Sequence, residues 1–133
     1  MKRFSLVFAW LLACAAACIV PASAKSPACS VKPFQGASLP QGAVAQMRIV
    51  NTGQACVISS YRLPAEHANP ADSGRITRQP GHGKAEFAAP HAKYTPEAGY
   101  VGKDEFEFEA FARGRSNQNV RLKVQVQVQV VAP

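Results

Sequence analysis

Two segments near the carboxyl end of the chain alternate strictly between apolar and polar residues. In residues 105–110 phenylalanine and alanine alternate with glutamate, and in residues 120–130 valine and leucine alternate with arginine, lysine and glutamine. Successive side chains of a β-strand point to opposite faces of its sheet. Both segments therefore predict a strand with one buried face and one solvated face.

The residues between these two segments predict a turn with a defined register. Residues 113–119 contain Gly, Ser and Asn, which favour turns. An antiparallel hairpin centred on this turn sets Ala110 opposite Leu122 and Glu109 opposite Lys123. The solvated face would then pair acidic with basic side chains across the strands, at a few tenths of a kcal/mol per pair.

The rest of the chain also favours short strands over helices, with turn residues recurring at about eight to twelve positions. Further strands are predicted at residues 31–34, 43–51, 56–62, 75–79, 84–88 and 92–95. Segments 43–51 and 56–62 flank the turn signal Asn51-Thr52-Gly53 and are predicted to form a hairpin. Residues 63–74 are predicted to be a loop. This pattern predicts a β-sandwich or a β-barrel.

Residues 1–24 have the features of a cleaved signal peptide. Lys2 and Arg3 precede an apolar run, and Ala22-Ser23-Ala24 provides small residues at a cleavage site. The interpretation leaves residues 25–133 as one exported domain without a transmembrane segment. A lipoprotein signal is the alternative, in which Cys14 or Cys18 would carry the lipid.

The charge of the chain is basic but dispersed. The 133 residues carry 15 basic and 8 acidic side chains; loss of Lys2 and Arg3 leaves 13 against 8, a net charge of about +5. Nucleic-acid binding proteins usually concentrate such charge in one stripe with interleaved aromatic residues. We therefore expect no nucleic-acid partner, whereas attraction to an anionic envelope lipid or polysaccharide stays open.

Two cysteines, Cys29 and Cys56, remain after residue 24. An even pair in an exported, oxidising setting predicts one disulfide. A two-thiol metal site is the alternative, although no Cys-x-x-Cys spacing supports it.

Part of the chain resembles a known family. Residues 94–108, YTPEAGYVGKDEFEF, resemble the signature of bacterial immunoglobulin-like, cadherin-like repeats. Residues 79–85, QPGHGKA, are similar to a turn of the same family, and residues 120–130 are similar to its closing strand. The likeness covers approximately residues 76–131. It implies an immunoglobulin-like antiparallel β-sandwich of about seven to eight strands.

The resemblance implies structural roles for the residues of the motif, which are Pro80, Gly83, Tyr94, Pro96, Gly99, Tyr100, Gly102, Asp104, Phe106 and Phe108. The phenylalanines belong to the core. Gly99 and Gly102 would permit left-handed turns between the sheets, and the aspartate would accept backbone N–H bonds. The tyrosines would bury their rings and direct their hydroxyls to backbone partners. Cys29 and Cys56 would tie the N-terminal segment to an early strand.

Candidate catalytic and metal-binding groups are few. Many relatives carry acidic clusters for calcium, but after residue 24 this chain has only two aspartates, Asp72 and Asp104. The three histidines (His67, His82 and His91) lie in predicted loops without the spacing of a zinc site. The glutamates of residues 105–109 are expected on a solvated face, and Ser59, Ser60 and Ser116 have no positioned base. We therefore predict no catalytic residue, metal or cofactor.

These observations favour a non-enzymatic binding or adhesion-type module of the bacterial cell envelope, located in the periplasm or secreted. The candidate binding loops contain Gly81, His82 and Gly83 at one end, where the two glycines would allow positive φ, and Arg113 and Arg115 at the other. The expected partner is an envelope protein or polysaccharide, bound by a monomer. The alternative is an assembly protein whose C-terminal strand pairs as an exposed edge with another chain.

Overall fold

A computed structural model describes residues 27–59 and 70–133 of the chain. These residues form eight strands and no helix: β1 Cys29–Val31, β2 Ala43–Val50, β3 Cys56–Ser59, β4 Ser73–Arg78, β5 Gly83–Ala88, β6 His91–Pro96, β7 Gly102–Arg113 and β8 Asn119–Val131. The predicted signal peptide with Cys14 and Cys18 lies outside the described residues, as do Ser60 and His67.

The strands form two sheets that share one hydrophobic core. The five-stranded sheet has the order β1-β2-β8-β7-β4, and the three-stranded sheet has the order β3-β6-β5. Buried side chains from both sheets belong to a single cluster. The prediction of an all-β sandwich is therefore confirmed. One pair departs from the antiparallel expectation, because β2 and β8 run parallel.

The predicted hairpin of β7 and β8 is confirmed in its register. Ala110 lies opposite Leu122, and Glu109 lies opposite Lys123. Phe108 and four valines of β8 lie on the inner face and are almost fully buried; the valines are Val124, Val126, Val128 and Val130. Burial of each such side chain contributes about 1.5–3 kcal/mol, so this hairpin supplies a large part of the core.

The predicted hairpin of residues 43–51 and 56–62 is wrong. β2 pairs with β1 and β8, whereas β3 pairs with β6 in the other sheet. The turn signal is present, but the chain there crosses between sheets instead of reversing within one. Asn51 holds this crossing in place, since its side-chain amide donates to the carbonyl oxygens of Glu97 and Tyr100 at 2.8 and 3.0 Å.

The prediction that the C-terminal strand is an exposed edge is also wrong. β8 lies at the centre of the five-stranded sheet, between β2 and β7. Its backbone groups along residues 124–130 have ladder partners on both sides. It therefore offers no edge to a second chain. The first strand, predicted at residues 31–34, ends at Val31.

The predicted disulfide is present. Cys29 on β1 is bonded to Cys56 on β3, with a Cα–Cα distance of 5.5 Å. Because β1 and β3 belong to different sheets, this bond joins the two layers of the sandwich covalently. The alternative of a two-thiol metal site is thereby set aside.

Candidate functional site

The Asp104 corner, formed by His82, Tyr94, Tyr100 and Asp104, lies where the chain passes from the three-stranded sheet to the five-stranded sheet. Asp104 Oδ1 accepts the backbone N–H of Gly81 and of Glu105, each at 2.9 Å. Asp104 Oδ2 accepts the backbone N–H of His82 at 3.0 Å and the hydroxyl of Tyr94 at 2.8 Å. The carboxylate is therefore saturated by structural donors. It joins the loop before β5 to the start of β7.

The two tyrosines of the corner meet different partners. Tyr94 is fully buried and donates to the carboxylate instead of to a backbone carbonyl, which corrects the expectation for this residue. Burial, followed by the hydrogen bond to Asp104, raises the pKa of the Tyr94 hydroxyl. Tyr100 does donate to a backbone carbonyl, that of Lys103. The Tyr100 ring stacks on His82 with centroids 4.2 Å apart.

The glycines of the corner divide into two groups. Gly99 and Gly102 take positive φ values of 76° and 143°, as the motif predicts. Gly81 and Gly83 do not, so the predicted reason for these two residues is wrong. Gly83 is instead required by crowding, because a Cβ atom there would lie 2.5 Å from the carbonyl oxygen of Thr95.

One further contact was not predicted from the sequence, and it lies in the loop between β4 and β5. The side-chain amide of Gln79 donates to the carbonyl of Ala85 at 3.0 Å and accepts its N–H at 3.1 Å. This reciprocal pair closes the segment between β4 and β5. It gives the Gln-Pro-x-x-Gly-x-Ala pattern a physical reason.

The tip loop, residues 113–119, connects β7 to β8 and lies at the opposite end of β7 from the Asp104 corner. Its backbone is closed by hydrogen bonds from Gly114 N–H to the Gln118 carbonyl and from Asn117 N–H to the Gly114 carbonyl. Arg113 and Arg115 are exposed, and no acid of the described residues forms an ion pair with either. The two predicted binding loops therefore remain separate surfaces.

Glu109 departs from the predicted solvated face. Its side chain is 6% exposed because Arg75 and Arg121 cover it on the outer face of the sheet. Arg75 donates to Glu109 Oε2 at 3.1 Å and Arg121 donates to Oε1. The hydrogen bond from Arg121 lowers the pKa of Glu109 most, and Arg75 adds to this against the opposing effect of burial. The partner predicted from the register, Lys123, forms no ion pair with it.

One serine, Ser59, differs from the prediction that no serine has a base beside it. Ser59 Oγ lies 2.8 Å from His91 Nδ1, so Ser59 does have an imidazole beside it. The two residues are opposite one another on β3 and β6, where the contact bridges two strands. His82 lies at the other end of the β5–β6 hairpin. Within the described ranges no three His, Cys, Asp or Glu side chains are grouped to hold a metal ion.

A third surface was not predicted at all. It is a groove of about 600 Å³ on the outer face of the five-stranded sheet. We name it the outer-face groove and define it by six exposed side chains: Lys32, Gln46, Arg48, Lys103, Gln127 and Gln129. The alternation of residues 120–130 predicted that Gln127 and Gln129 face solvent. It could not show that β2 and β7 flank β8 and bring the six side chains together.

No family model matches the sequence, and no curated protein is significantly similar to it. The likeness to immunoglobulin-like, cadherin-like repeats stays a prediction that depends on the motif residues themselves. In the part of the chain that the structure describes, no helix is long and apolar enough to cross a membrane.

Proposed function

We propose that this protein is a non-enzymatic binding module of the bacterial cell envelope, exported to the periplasm or secreted, and related to the cadherin-like repeats it resembles. The disulfide between Cys29 and Cys56 supports export, because such bonds persist mainly in oxidising compartments. The two-layered scaffold supports a binding role, since rigid sandwiches commonly present their contact residues on loops.

The main observation in support of the proposal is the exposed position of the tip loop at the end of a long hairpin. β7 spans 12 residues and β8 spans 13, so the loop lies roughly 40 Å from the opposite end of the hairpin. Arg113 and Arg115 are exposed there. Arginine is enriched in protein contacts because its guanidinium both stacks and donates several hydrogen bonds. An acidic group on an envelope protein or polysaccharide is the matching partner.

The hydrogen bonding of two carboxylates, Asp104 and Glu109, supports a non-catalytic role. Asp104 is saturated by four donors of the corner. Glu109 is held between two guanidinium groups. A general acid or base must reach the substrate through a carboxylate oxygen, and the oxygens of both carboxylates are occupied by donors of the fold.

The proposal is tested by immobilising the protein without residues 1–24 and passing an envelope extract over it. We expect Arg113→Ala combined with Arg115→Ala to abolish retention of the bound component. The matched control is Lys84→Ala combined with Lys93→Ala, which removes the same charge from exposed positions of the three-stranded sheet. Equal retention by both double variants would contradict the role of the tip loop.

Export has its own test. Mass spectrometry of the protein recovered from the periplasm or medium should give a chain that begins at Lys25. A chain that retains residues 1–24 and stays in the cytoplasm would refute the localisation.

A further inference from the structure

The outer-face groove lies where β2, β8 and β7 run side by side. Arg48 lies opposite Gln129, and Gln129 lies opposite Lys103. The next row places Gln46 opposite Gln127, and Gln127 opposite Glu105. The groove floor is therefore a lattice of amides with cationic side chains on the two flanking strands.

The spacing between the side chains of the groove is set by the distance between neighbouring strands. Neighbouring strands are about 4.8 Å apart, so Arg48 and Lys103 start from backbone positions roughly 10 Å from one another. Lys32 stands beside them, since its backbone N–H donates to the Gln46 carbonyl at 2.9 Å. A ligand lying across the strands would meet a cation, an amide and a second cation in succession.

The cations and the acids of the groove differ in whether they have partners. Among residues 27–59 and 70–133, no acid forms an ion pair with Lys32, Arg48 or Lys103. The nearby acids are already engaged. Glu105 pairs with Arg78 and accepts the Gln125 amide at 2.5 Å, and Asp104 is saturated within its corner. The lining carries three cations against two acids, Asp104 and Glu105, so its net charge is positive.

The chemistry of the lining distinguishes between classes of ligand. Protein interfaces depend on buried aromatic or aliphatic anchors, whereas the exposed side chains of this groove are amides, cations and the hydroxyl of Ser30. A primary amide offers both donors and acceptors, which suits hydroxyl groups. Guanidinium and ammonium groups bind carboxylates through charge-assisted hydrogen bonds. The volume is within the range of ligand sites, roughly 300–1,000 Å³.

We propose that the outer-face groove binds an acidic polysaccharide, whose carboxylates contact Arg48 and Lys103 and whose hydroxyls contact Gln46, Gln127 and Gln129. Charge complementarity and the amide lattice together specify a sugar chain bearing uronic acids. This site is separate from the tip loop, so it goes beyond the proposed function and does not depend on it.

The experiment is calorimetric titration of the protein without residues 1–24 with polygalacturonate fragments. We expect Arg48→Gln combined with Lys103→Gln to weaken binding at least about tenfold, as the loss of charge-assisted contacts requires. Lys84→Ala combined with Lys93→Ala removes the same charge from exposed positions of the three-stranded sheet and should leave the affinity unchanged. Added salt should weaken binding of the wild type.

Two further polymers test the specificity. Polyacrylate has the carboxylates without hydroxyls, and dextran has hydroxyls without charge; both should bind at least about tenfold more weakly than polygalacturonate. Gln127→Ala combined with Gln129→Ala should reduce the preference over polyacrylate. Melting temperatures check that each variant is folded, and Lys103→Gln alone serves as a second, milder variant.

Several results would overturn the proposal. They are an absence of binding by the wild type, equal affinity for polyacrylate or dextran, preference for a phosphodiester polymer such as polyribitol phosphate, or equal loss in the groove variant and in the Lys84 and Lys93 double variant. Because Arg113 and Arg115 are unchanged in every variant of this titration, none of these results bears on retention of an envelope component by the tip loop.

Discussion

The Asp104 corner and the tip loop lie at opposite ends of β7 and are held by different means. In the corner, one carboxylate collects donors from three separate segments of the chain, at positions 81–82, 94 and 105. In the tip loop, the hydrogen bonds given by residues 113–119 all stay within the hairpin. The corner therefore couples the two sheets, while the loop depends on its own hairpin alone.

This difference separates residues that specify the fold from residues that are available for contact. Replacement of a corner residue removes partners from several segments at once, whereas replacement of a tip-loop arginine removes little from the folded state. Two glycine-containing turns, at Gly81 and at Gly114, therefore differ in how much of the fold depends on them. Four measurements test the contrast, beginning with the largest expected effect.

Asp104→Ala should destabilise the fold by about 3–4 kcal/mol, because it leaves four donors without their acceptor and one of them belongs to the buried Tyr94. Chemical denaturation measures the change. Asp104→Asn keeps one acceptor oxygen and should cost roughly half as much. If Asp104→Ala were as mild as a surface substitution, the coupling of the sheets through this carboxylate would be refuted.

Gly102→Ala should cost roughly 2–3 kcal/mol, since its φ of 143° excludes most side chains and the new Cβ would lie 2.8 Å from the Tyr100 hydroxyl. Gly99→Ala is the matched control. Its φ of 76° is also left-handed, but no atom lies within 4 Å of the added Cβ, so about 1 kcal/mol is expected. Equal decreases in the melting temperature of the two variants would show that crowding of the added Cβ atom at Gly102 has no effect.

Glu109→Gln should cost about 1–2 kcal/mol at neutral pH, because the buried carboxylate loses its charged hydrogen bonds to Arg121 and Arg75. The pKa of Glu109 is lowered in the folded state from its ordinary value of 4.5. Its contribution is therefore fully present above about pH 4.5 and is lost as the pH falls through the lowered pKa.

The free energies of unfolding of the wild type and Glu109→Gln should accordingly converge under acidic conditions. Glu107→Gln provides the control, since Glu107 is more exposed and its contact with Arg78 is 3.9 Å long. We expect this variant to stay within about 0.5 kcal/mol of the wild type. A difference for Glu109→Gln that stayed constant from neutral to acidic pH would argue against an ionised carboxylate.

Arg113→Ala combined with Arg115→Ala should change the free energy of unfolding by less than about 0.5 kcal/mol. Both side chains are exposed, and the hydrogen bond from Arg113 to the Asn117 carbonyl is long, at 3.4 Å. A large destabilisation in denaturant titrations would mean that the tip loop supports the fold, and the contrast with the corner would fail.

The sequence predicts the features that depend on residues close together along the chain. The register of β7 and β8 follows from strict alternation on both sides of one short turn. The positive φ of Gly99 and Gly102 follows from the motif. The position of β3 could not be obtained in this way, because Asn51-Thr52-Gly53 indicates a change of direction without indicating the sheet that receives the next strand.

The parts that sequence reasoning missed depend on distant partners. Asn51 binds carbonyl groups 46 and 49 positions away. The burial of Glu109 requires Arg75, which is 34 residues distant. The outer-face groove requires the parallel pairing of β2 with β8. Each of these contacts is fixed by tertiary packing, for which the alternation of apolar and polar residues carries no signal.

The central place of β8 has a consequence for biogenesis. Its neighbour β2 is separated from it by about eighty positions of chain, for instance Met47 from Val128. Loop closure over such a span is slow relative to local pairing. During synthesis, the inner edges of β2 and β7 therefore stay unpaired until the eighth strand is complete.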